Sequence, residues 1–174
     1  MGVFSKSYSK KIVNYDLLNK FNYNSLNELP HLSNIILKFD FKKYDYKLLI
    51  KCLFILELLS GKTPSVILSK KSELSLKIKK GFPVGCKVNL HREFSSILNI
   101  IVTIQKSMCY KFKISKNYID IDIANVLNLP QLQNNYYFFK NIKNLNVRIL
   151  VTSNNQKEMF YLMNSYKMSH EKQK

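Results

Sequence analysis

The first twenty residues place apolar and basic side chains in a pattern that predicts a helix over residues 3–20. Apolar residues recur at three- and four-residue steps, and lysines fill positions between them. A basic, acid-poor N-terminal segment can also be a targeting peptide, but such peptides favour arginine, and this segment contains none. We therefore favour a basic amphipathic helix of the mature protein. Its predicted apolar face consists of Phe4, Tyr8, Ile12, Tyr15 and Leu18.

Three further segments have helical spacing of their apolar residues. In Tyr46–Leu59 one apolar stripe is followed by Gly61, a residue that often ends a helix. Phe94–Ile104 is predicted to be the third helix, and Asn155–Ser165 the last, with Met159, Leu162 and Met163 facing inward.

Short β-branched or alternating apolar runs predict five strands. Leu129–Lys143, rich in Asn, Tyr and Phe, fits neither period and is left unassigned. The order of elements, α–β–α–β–β–α–β–β–α, predicts one α+β domain over residues 1–174, with helices packed on a mostly antiparallel sheet. The strands are predicted at Leu32–Phe39, Ser65–Ser69, Lys87–Leu90, Tyr118–Val126 and Asn146–Thr152.

Composition adds a polyanionic partner to this picture. The chain has 174 residues, 46% of them hydrophobic, so it can bury a sizeable core. Its formal net charge is +17, and folded domains this basic usually bind nucleic acid or an anionic membrane surface. The longest apolar run, Cys52–Leu56, is far too short to span a bilayer, and no signal peptide is visible.

Cysteine usage indicates a reducing compartment. The three cysteines, Cys52, Cys86 and Cys109, are far apart and form no CxxC pair, which argues against a disulfide framework or a zinc ribbon. Cys52 lies in an apolar helical pattern and is predicted to be a buried thiol. Residue choice is also skewed toward AT-rich codons, with one alanine, Ala124, which favours an AT-rich genome such as that of an organelle.

Catalytic chemistry finds no support in the sequence. The three histidines are isolated from other metal ligands and are best interpreted as ordinary surface or strand-edge residues. Asp120 and Asp122 share one face of a predicted strand, but without a third acid or a histidine they are more typical of a solvated face than of a catalytic dyad. No P-loop, GxGxxG motif or nucleophile elbow is present. We expect no catalytic residues, no metal, no cofactor and no small-molecule substrate. The histidines are His31, His91 and His170.

The remaining chemistry lies between Ser60 and His91, where two apolar runs flank a lysine-rich loop over residues 69–81. Six lysines fall between Lys62 and Lys80, against one carboxylate, Glu73. Such a run can be a plain solvated face. Its concentration on one loop and the second basic patch on the first helix favour binding to RNA through phosphate contacts instead.

Several motifs, in order along the chain, resemble the universal large-subunit ribosomal protein L-five family. Phe21–Ser25, followed by Pro30, is similar to its FNYNS…P segment, and Ser60–Pro64 to its SGQKP turn. The most specific likeness is Gly81–Val88, GFPVGCKV. Lys70-Lys71-Ser72 with Lys77-Ile78-Lys79 resembles its RKS…FKIR loop, and Val147–Ser153 its last strand.

The resemblance implies an RRM-like α+β fold with helices on one face of the sheet, and a structural role in the central protuberance of the large ribosomal subunit. It implies two RNA partners, 5S rRNA on the sheet and the elbow of P-site tRNA at the lysine loop, together with neighbouring ribosomal proteins. The implied tRNA-binding residues are Lys70, Lys71, Ser72, Lys77, Lys79 and Lys80. The implied rRNA-binding residues are Lys6, Lys10, Lys11, Asn22, Asn24, Lys38, Lys62, Asn89, His91 and Arg92.

The chain departs from the family where 5S rRNA would lie. Lys38, Lys62, Asn89 and His91 stand where the family usually has asparagine, glutamine, threonine and arginine. The segment 109–145 replaces the family's FRGL and GREQ-FPE blocks, and 167–174 is a polar tail. These departures leave the presence of 5S rRNA open and resemble mitochondrial ribosomes with a reduced or missing 5S rRNA. Because the first helix aligns with mature family sequence, we expect no presequence and synthesis inside a mitochondrion, with location in the matrix.

Three hypotheses follow, from different classes. The first is a structural rRNA- and tRNA-binding protein of the mitochondrial large ribosomal subunit. The second is an RNA-modifying enzyme or accessory RNA-binding protein with a basic docking face, and an enzyme would need a cofactor loop or an acid/base cluster. The third is a basic protein of a membrane surface, which predicts liposome binding that survives RNase. The basic loop and the motif order favour the first.

Overall fold

The structure, a computed structural model, describes residues 8–41, 45–72, 78–91, 111–115, 117–140, 142–153 and 155–166. Within these ranges six strands form one sheet, in the order β2-β3-β1-β6-β5-β4. The third predicted helix, Phe94–Ile104, lies outside the described residues. The strands are β1 His31–Asp40, β2 Ser65–Leu68, β3 Pro83–His91, β4 Lys111–Ile114, β5 Tyr118–Asn125 and β6 Lys143–Thr152.

Neighbouring strands in this sheet run antiparallel. Ser65 of β2 pairs with Lys87 of β3, and the pairing continues to Leu68 opposite Pro83. Backbone bonds between β4 and β5 at their connecting turn show the same sense. The α+β class with a mostly antiparallel sheet is therefore confirmed. Only β4, in the segment 109–145, had no clear signal in the sequence.

One face of the sheet is buried because apolar residues recur at every second position along each long strand. The other face is mainly polar, although Ile36 of β1 and Leu150 of β6 also lie on it. On β1 the side chains of Ile35, Leu37 and Phe39 are buried, and those between them are partly exposed. On β5 the isoleucines at 119, 121 and 123 are buried, whereas Asp120 and Asp122 point to the other face, as predicted. The polar face of the sheet is thus available for binding.

Five α-helices complete the described part of the chain. The second, α2, has defined ends: the Asp45 carboxylate accepts a bond from the Lys47 amide at 2.9 Å, and Gly61 ends the helix with φ 63°. This confirms the helix predicted from its apolar stripe. The helices are α1 Asn14–Lys20, α2 Tyr46–Ser60, α3 Pro130–Gln133, α4 Tyr136–Phe139 and α5 Gln156–Ser165. The short helices α3 and α4 occupy the segment that the sequence left unassigned.

The predicted apolar face of the first helix is wrong at three of its five positions; of the other two, Tyr8 is partly buried and Phe4 lies outside the described residues. A π-helical turn spans Ser9–Val13, and the Asn14 amide bonds the Ser9 carbonyl five residues earlier. The wider turn rotates the later side chains relative to a regular helix. Ile12, Tyr15 and Leu18 are consequently exposed, and the buried residues are Val13 and Leu17. In α5, by contrast, Met159, Leu162 and Met163 are buried as predicted.

The described residues fall into two compact units, each made of separate chain segments. Unit 1 comprises residues 1–35, 91–121 and 149–174, and unit 2 comprises residues 36–90 and 122–148. In unit 1, α1 and α5 are in contact. In unit 2, α2 buries five side chains, among them Cys52, and contacts α3. The single domain over residues 1–174 stays a prediction.

Candidate nucleic-acid interface

The β2–β3 pair holds the two ends of the lysine loop together. The Ser69 amide donates to the Phe82 carbonyl at 2.8 Å, and the Gly81 amide donates to the Ser69 carbonyl at 3.0 Å. The turn into β3 closes with a bond from the Phe82 amide to the Lys79 carbonyl at 3.1 Å. Gly81 has φ 87°, a conformation that glycine adopts without strain. This geometry explains the glycine at residue 81, just before β3.

The described lysines of the loop lie on both of its arms. On the outgoing arm Lys70 and Lys71 are exposed, and the Ser69 hydroxyl bonds the carbonyl of Lys71. On the returning arm Lys79 and Lys80 are exposed, directly after Ile78, which is buried. Ser72 is exposed as well, and Lys77 lies outside the described residues. The buried isoleucine anchors the returning arm while four ammonium groups face solvent, an arrangement suited to phosphate binding.

β3 carries a row of polar side chains on the exposed face of the sheet. Lys87, Asn89 and His91 alternate with buried residues and are all exposed. At the end of the row the His91 Nδ1 atom lies 2.7 Å from the Oδ1 atom of Asn34 on β1. Lys87 belongs to the GFPVGCKV motif but was not predicted as a binding residue. The two-residue alternation along β3 was the signal that could have found it.

On β1 the charge of Lys38 is paired with a carboxylate. The Lys38 Nζ atom lies 2.8 Å from the Oδ1 atom of Asp40, and both side chains are partly exposed. The ion pair lowers the net positive charge on this part of the face. Farther across the sheet, the carboxylate of Asp122 on β5 accepts a hydrogen bond from the side-chain Nδ2 atom of Asn146 at 2.7 Å. The polar face is therefore basic on β3 and carries carboxylates on β5.

Lys62 is positioned by the turn that follows α2. The Ser60 hydroxyl donates to the Leu56 carbonyl at 2.6 Å and accepts from the Lys62 amide at 3.1 Å. Gly61 takes the left-handed conformation between them, and the Lys62 side chain is exposed. The Ser-Gly-Lys sequence thus fixes the backbone that presents this lysine.

Beneath β3, two thiols meet. Cys86 and Cys52 of α2 are both free and buried, so the predicted buried thiol at Cys52 is confirmed. Two effects raise the pKa of Cys52 far above its ordinary value. The larger is the hydrogen bond to Cys86, and the second is burial. The Cys52 thiol is therefore kept protonated. Cys109 lies outside the described residues.

Two further predicted rRNA-binding residues, Asn22 and Asn24, lie near the N-terminus, in unit 1. Asn22 and Asn24 are exposed, and the Asn24 amide bonds the Glu28 carboxylate at 3.1 Å. The ring of Phe21 packs edge-on against Tyr161 of α5, with centroids 5.9 Å apart, and the Lys20 Nζ atom lies 4.1 Å from the Tyr161 centroid. These contacts hold the FNYNS-like segment against α5.

The other positions predicted on the first helix and after β3 are described only in part. Lys11 is exposed. Lys10 is described for its backbone, whereas Lys6 and Arg92 lie outside the described residues. Of the predicted rRNA-binding residues, Lys38 and Asn89 lie on the exposed face of the sheet in unit 2, and His91 is the last residue of β3, in unit 1.

Among the described residues, no three His, Cys, Asp or Glu side chains form a group that could hold a metal ion. His31 bonds the Thr152 hydroxyl at 2.9 Å, the interaction of an ordinary strand-edge histidine. In the same part of the chain, no helix has the length and apolar character to cross a membrane.

No family model matches the chain. The chain is similar to large ribosomal subunit proteins named uL5 or uL5m. It is 29% identical over 173 residues to the large ribosomal subunit protein uL5m of Reclinomonas americana, covering 94% of this chain and 95% of that protein. It is 28% identical over 182 residues to uL5 of Oceanobacillus iheyensis, covering 99% and 100%. Over 85 residues, 48% of each chain, it is 41% identical to uL5 of Wigglesworthia glossinidia brevipalpis.

Proposed function

Because the chain belongs to the uL5 family of large ribosomal subunit proteins, we propose that it binds rRNA in the central protuberance of a mitochondrial large subunit and contacts P-site tRNA. It is a structural protein of the ribosome and not an enzyme. Neighbouring large-subunit proteins are its other partners. The whole of residues 1–174 acts as one binding domain in this proposal.

One observation carries the tRNA contact. Four exposed lysines, two on each arm, project from a loop whose ends are joined by backbone hydrogen bonds at Ser69 and Phe82. Two arms joined in this way present their four described lysines with little loss of backbone entropy on binding. Lysine supplies point charges without the planar donor fork of arginine, so the contact reads the shape and charge of the RNA backbone more than its bases. The elbow of a tRNA offers such a backbone surface.

The rRNA contact is assigned to the exposed face of β3 and β1. Lys62, in the turn between α2 and β2, is assigned to the same contact. Asn89 and His91 supply hydrogen-bonding groups there, and Lys87 adds a positive charge. The ion pair between Lys38 and Asp40 weakens the attraction of β1 for phosphates. This face therefore fits an RNA that contacts β3 more strongly than β1, whether that RNA is a 5S rRNA or another rRNA segment.

A mitochondrial location is supported by two separate features. A relative covering nearly the whole chain is a mitochondrial protein, uL5m of Reclinomonas americana, although other relatives are bacterial. The skew toward residues of AT-rich codons favours an organelle genome. We propose that the protein is encoded and made in the mitochondrion and works in the matrix.

Sedimentation of organelle extracts tests the proposal. The tagged chain should co-sediment with the large subunit at moderate salt and leave it after RNase treatment. RNA crosslinked to the chain in those particles should include rRNA and, in translating ribosomes, tRNA. A chain that is absent from the large-subunit peak would contradict the ribosomal placement. A chain that is present but never crosslinks to tRNA would contradict only the tRNA contact.

A further inference from the structure

The outer side of α2 carries an apolar stripe that faces solvent. Four side chains at four-residue steps, Tyr46, Ile50, Phe54 and Leu58, are between 41% and 61% exposed. The stripe is about 18 Å long at 1.5 Å per residue, which is a little more than three helical turns. Buried residues such as Cys52 and Leu56 occupy the opposite side of the helix. A row of this kind exceeds the scattered apolar residues found on ordinary surfaces.

The short helix α4 extends this stripe with aromatic rings. Tyr137 is 85% and Phe138 67% exposed, and Tyr136 is also exposed. The next residue, Phe139, is fully buried, and its ring centroid lies 6.1 Å from that of Phe54. The buried Phe139 fixes α4 beside α2, so that the neighbouring aromatic residues remain on the surface.

A concave groove lies between the two helices, entirely within unit 2. Its volume is about 450 Å³, the size of a small ligand pocket. The lining is apolar except for the side chains of Lys51 and Asn135. The groove, called the aromatic groove below, is lined by Ile50, Lys51, Phe54, Asn135, Phe138 and Phe139.

The charges around the aromatic groove are arranged asymmetrically. Lys47 is exposed one turn before Lys51, and the Lys51 Nζ atom lies 5.9 Å from the centroid of the Phe138 ring. Lys140, directly after α4, is also exposed. The exposed carboxylate of Glu57 lies on the other flank of the α2 stripe, since it precedes Leu58 by one residue. A partner in the groove would meet cations along the α4 side.

We propose that the aromatic groove docks an amphipathic helix of a neighbouring large-subunit protein. The helix places apolar side chains in the groove and its carboxylates opposite Lys47, Lys51 and Lys140. The aliphatic residues Ile50 and Leu58 and the concave shape favour side chains over RNA bases, which stack on flat aromatic surfaces. Aromatic residues are also enriched in the cores of protein interfaces. This inference rests on the proposed ribosomal function for the source of the partner.

Site-specific photo-crosslinking in assembled large subunits tests the proposal. A benzophenone amino acid replaces Tyr137, and the same substitution at Leu26, an exposed apolar residue of unit 1, is the control. After irradiation, the Tyr137 probe should crosslink to a peptide of another ribosomal protein with helical apolar spacing and flanking carboxylates. The Leu26 probe should not crosslink to that peptide.

Two variants of the groove and one control variant test whether the crosslink depends on the aromatic groove and its lysines. Phe138→Ala should lower the yield of that crosslink by about tenfold or more, because buried aromatic anchors dominate interface affinity. The double variant Lys51→Glu and Lys140→Glu should also lower it, whereas Lys157→Glu on α5 should leave it unchanged. All four side chains are at least partly exposed, so the fold should survive these changes.

The outcomes separate this inference from the proposed function. A Tyr137 crosslink to RNA alone, to a second copy of this chain or to nothing, in particles that contain the chain, overturns the docking proposal only. Absence of the chain from the large subunit overturns the ribosomal function, and the docking proposal with it.

Discussion

Gly85 of β3 lies so close to Phe39 of β1 that a β-carbon at residue 85 would come within 2.4 Å of the Phe39 carbonyl oxygen. Real β-carbons do not approach backbone oxygens this closely, and a backbone atom cannot move aside as a flexible side chain can. The next residue along the strand, Cys86, is buried against α2. Gly85, the second glycine of GFPVGCKV, is therefore required by the close approach of β3 and β1.

Gly85→Ala should destabilise the fold by about 1–3 kcal/mol, because the strands must separate or the backbone must shift. Urea unfolding followed by circular dichroism measures the change. Lys87→Ala, two residues away on the exposed face, is the matched control and should change stability by no more than about 0.5 kcal/mol. Equal stability of Gly85→Ala and the original protein would contradict the close approach.

Charge reversal in the lysine loop should weaken RNA binding without unfolding the protein. The triple variant Lys70→Glu, Lys71→Glu and Lys79→Glu removes three exposed ammonium groups. The salt slope of log K for a tRNA should fall by about 0.7 to 0.9 for each lost phosphate contact. Filter binding over a range of salt concentrations measures the slope.

Lys157→Glu, at an exposed lysine of α5, is the control for this prediction. This control variant should reduce the salt slope by less than the loss of one loop lysine does. Loss of cooperative unfolding in the triple variant would mean that the loop lysines stabilise the fold. An unchanged slope with an intact fold would exclude them as phosphate ligands.

Removing the carboxylate of Asp40 should strengthen RNA binding, because it frees the ammonium group of Lys38 on the exposed face. Exposed ion pairs contribute at most about 1 kcal/mol, so Asp40→Asn should raise affinity for an rRNA fragment by about fivefold or less at low salt. Glu57→Gln, at an exposed carboxylate of α2 outside the proposed RNA-binding residues, changes the net charge equally and serves as the control. If both variants bind equally tightly, β1 does not contribute to the RNA-binding face.

The fold should lose stability at high pH through Tyr23. Burial, with the carboxylate of Glu158 adding to it, raises the pKa of Tyr23 from 10.0 to about 12. The unfolded chain releases this proton first, so the contribution is complete below pH 10 and is lost as the pH rises to about 12. Tyr23→Phe should therefore reduce the fall in stability between pH 10 and about 12.

Unfolding by urea at several pH values measures that fall. Tyr137→Phe, at a highly exposed ring, is the matched control and should leave the fall unchanged. Identical pH dependence in Tyr23→Phe and the original protein would show that Tyr23 titrates in the folded state as it does in the unfolded chain.

The two buried thiols should resist alkylation. The hydrogen bond to Cys86, together with burial, raises the pKa of the Cys52 thiol and keeps it protonated, and the thiolate is the reactive form. In a Cys109→Ser background, iodoacetamide at pH 8 should modify neither cysteine until urea unfolds the protein. Mass spectrometry counts the added groups. Rapid modification of the native protein would show that α2 separates readily from β3.

Regular elements could be predicted from the sequence because their signals are local. The helix α2 and the strand β6 each have one clear apolar period, and the structure matches them closely. The segment containing α3 and α4 has aromatic residues at consecutive positions, which fit no period. Its short helices are held in place by contacts such as that between Phe139 and Phe54, which are far apart in sequence.

The binding residues also fall into two groups, those that could be predicted from the sequence and those that only the structure reveals. The lysine loop and the turn before Lys62 were recognisable because charge and turn residues are read directly from the sequence. To predict the polar row on β3 that includes Lys87, one would need both the alternation along that strand and the strands that lie next to it. The aromatic groove could not be predicted, because its two walls, α2 and α4, are separated by more than seventy residues.

The sequence by itself carried the resemblance to the uL5 family and determined the strong helices and strands and the basic loop, since each depends on residues that are near one another along the chain. Tertiary structure decided which side of the first helix is buried, where Gly85 must approach Phe39, and which aromatic rings stay exposed on α4. These features depend on packing between segments distant in sequence, and a local pattern does not specify which distant surface it will meet.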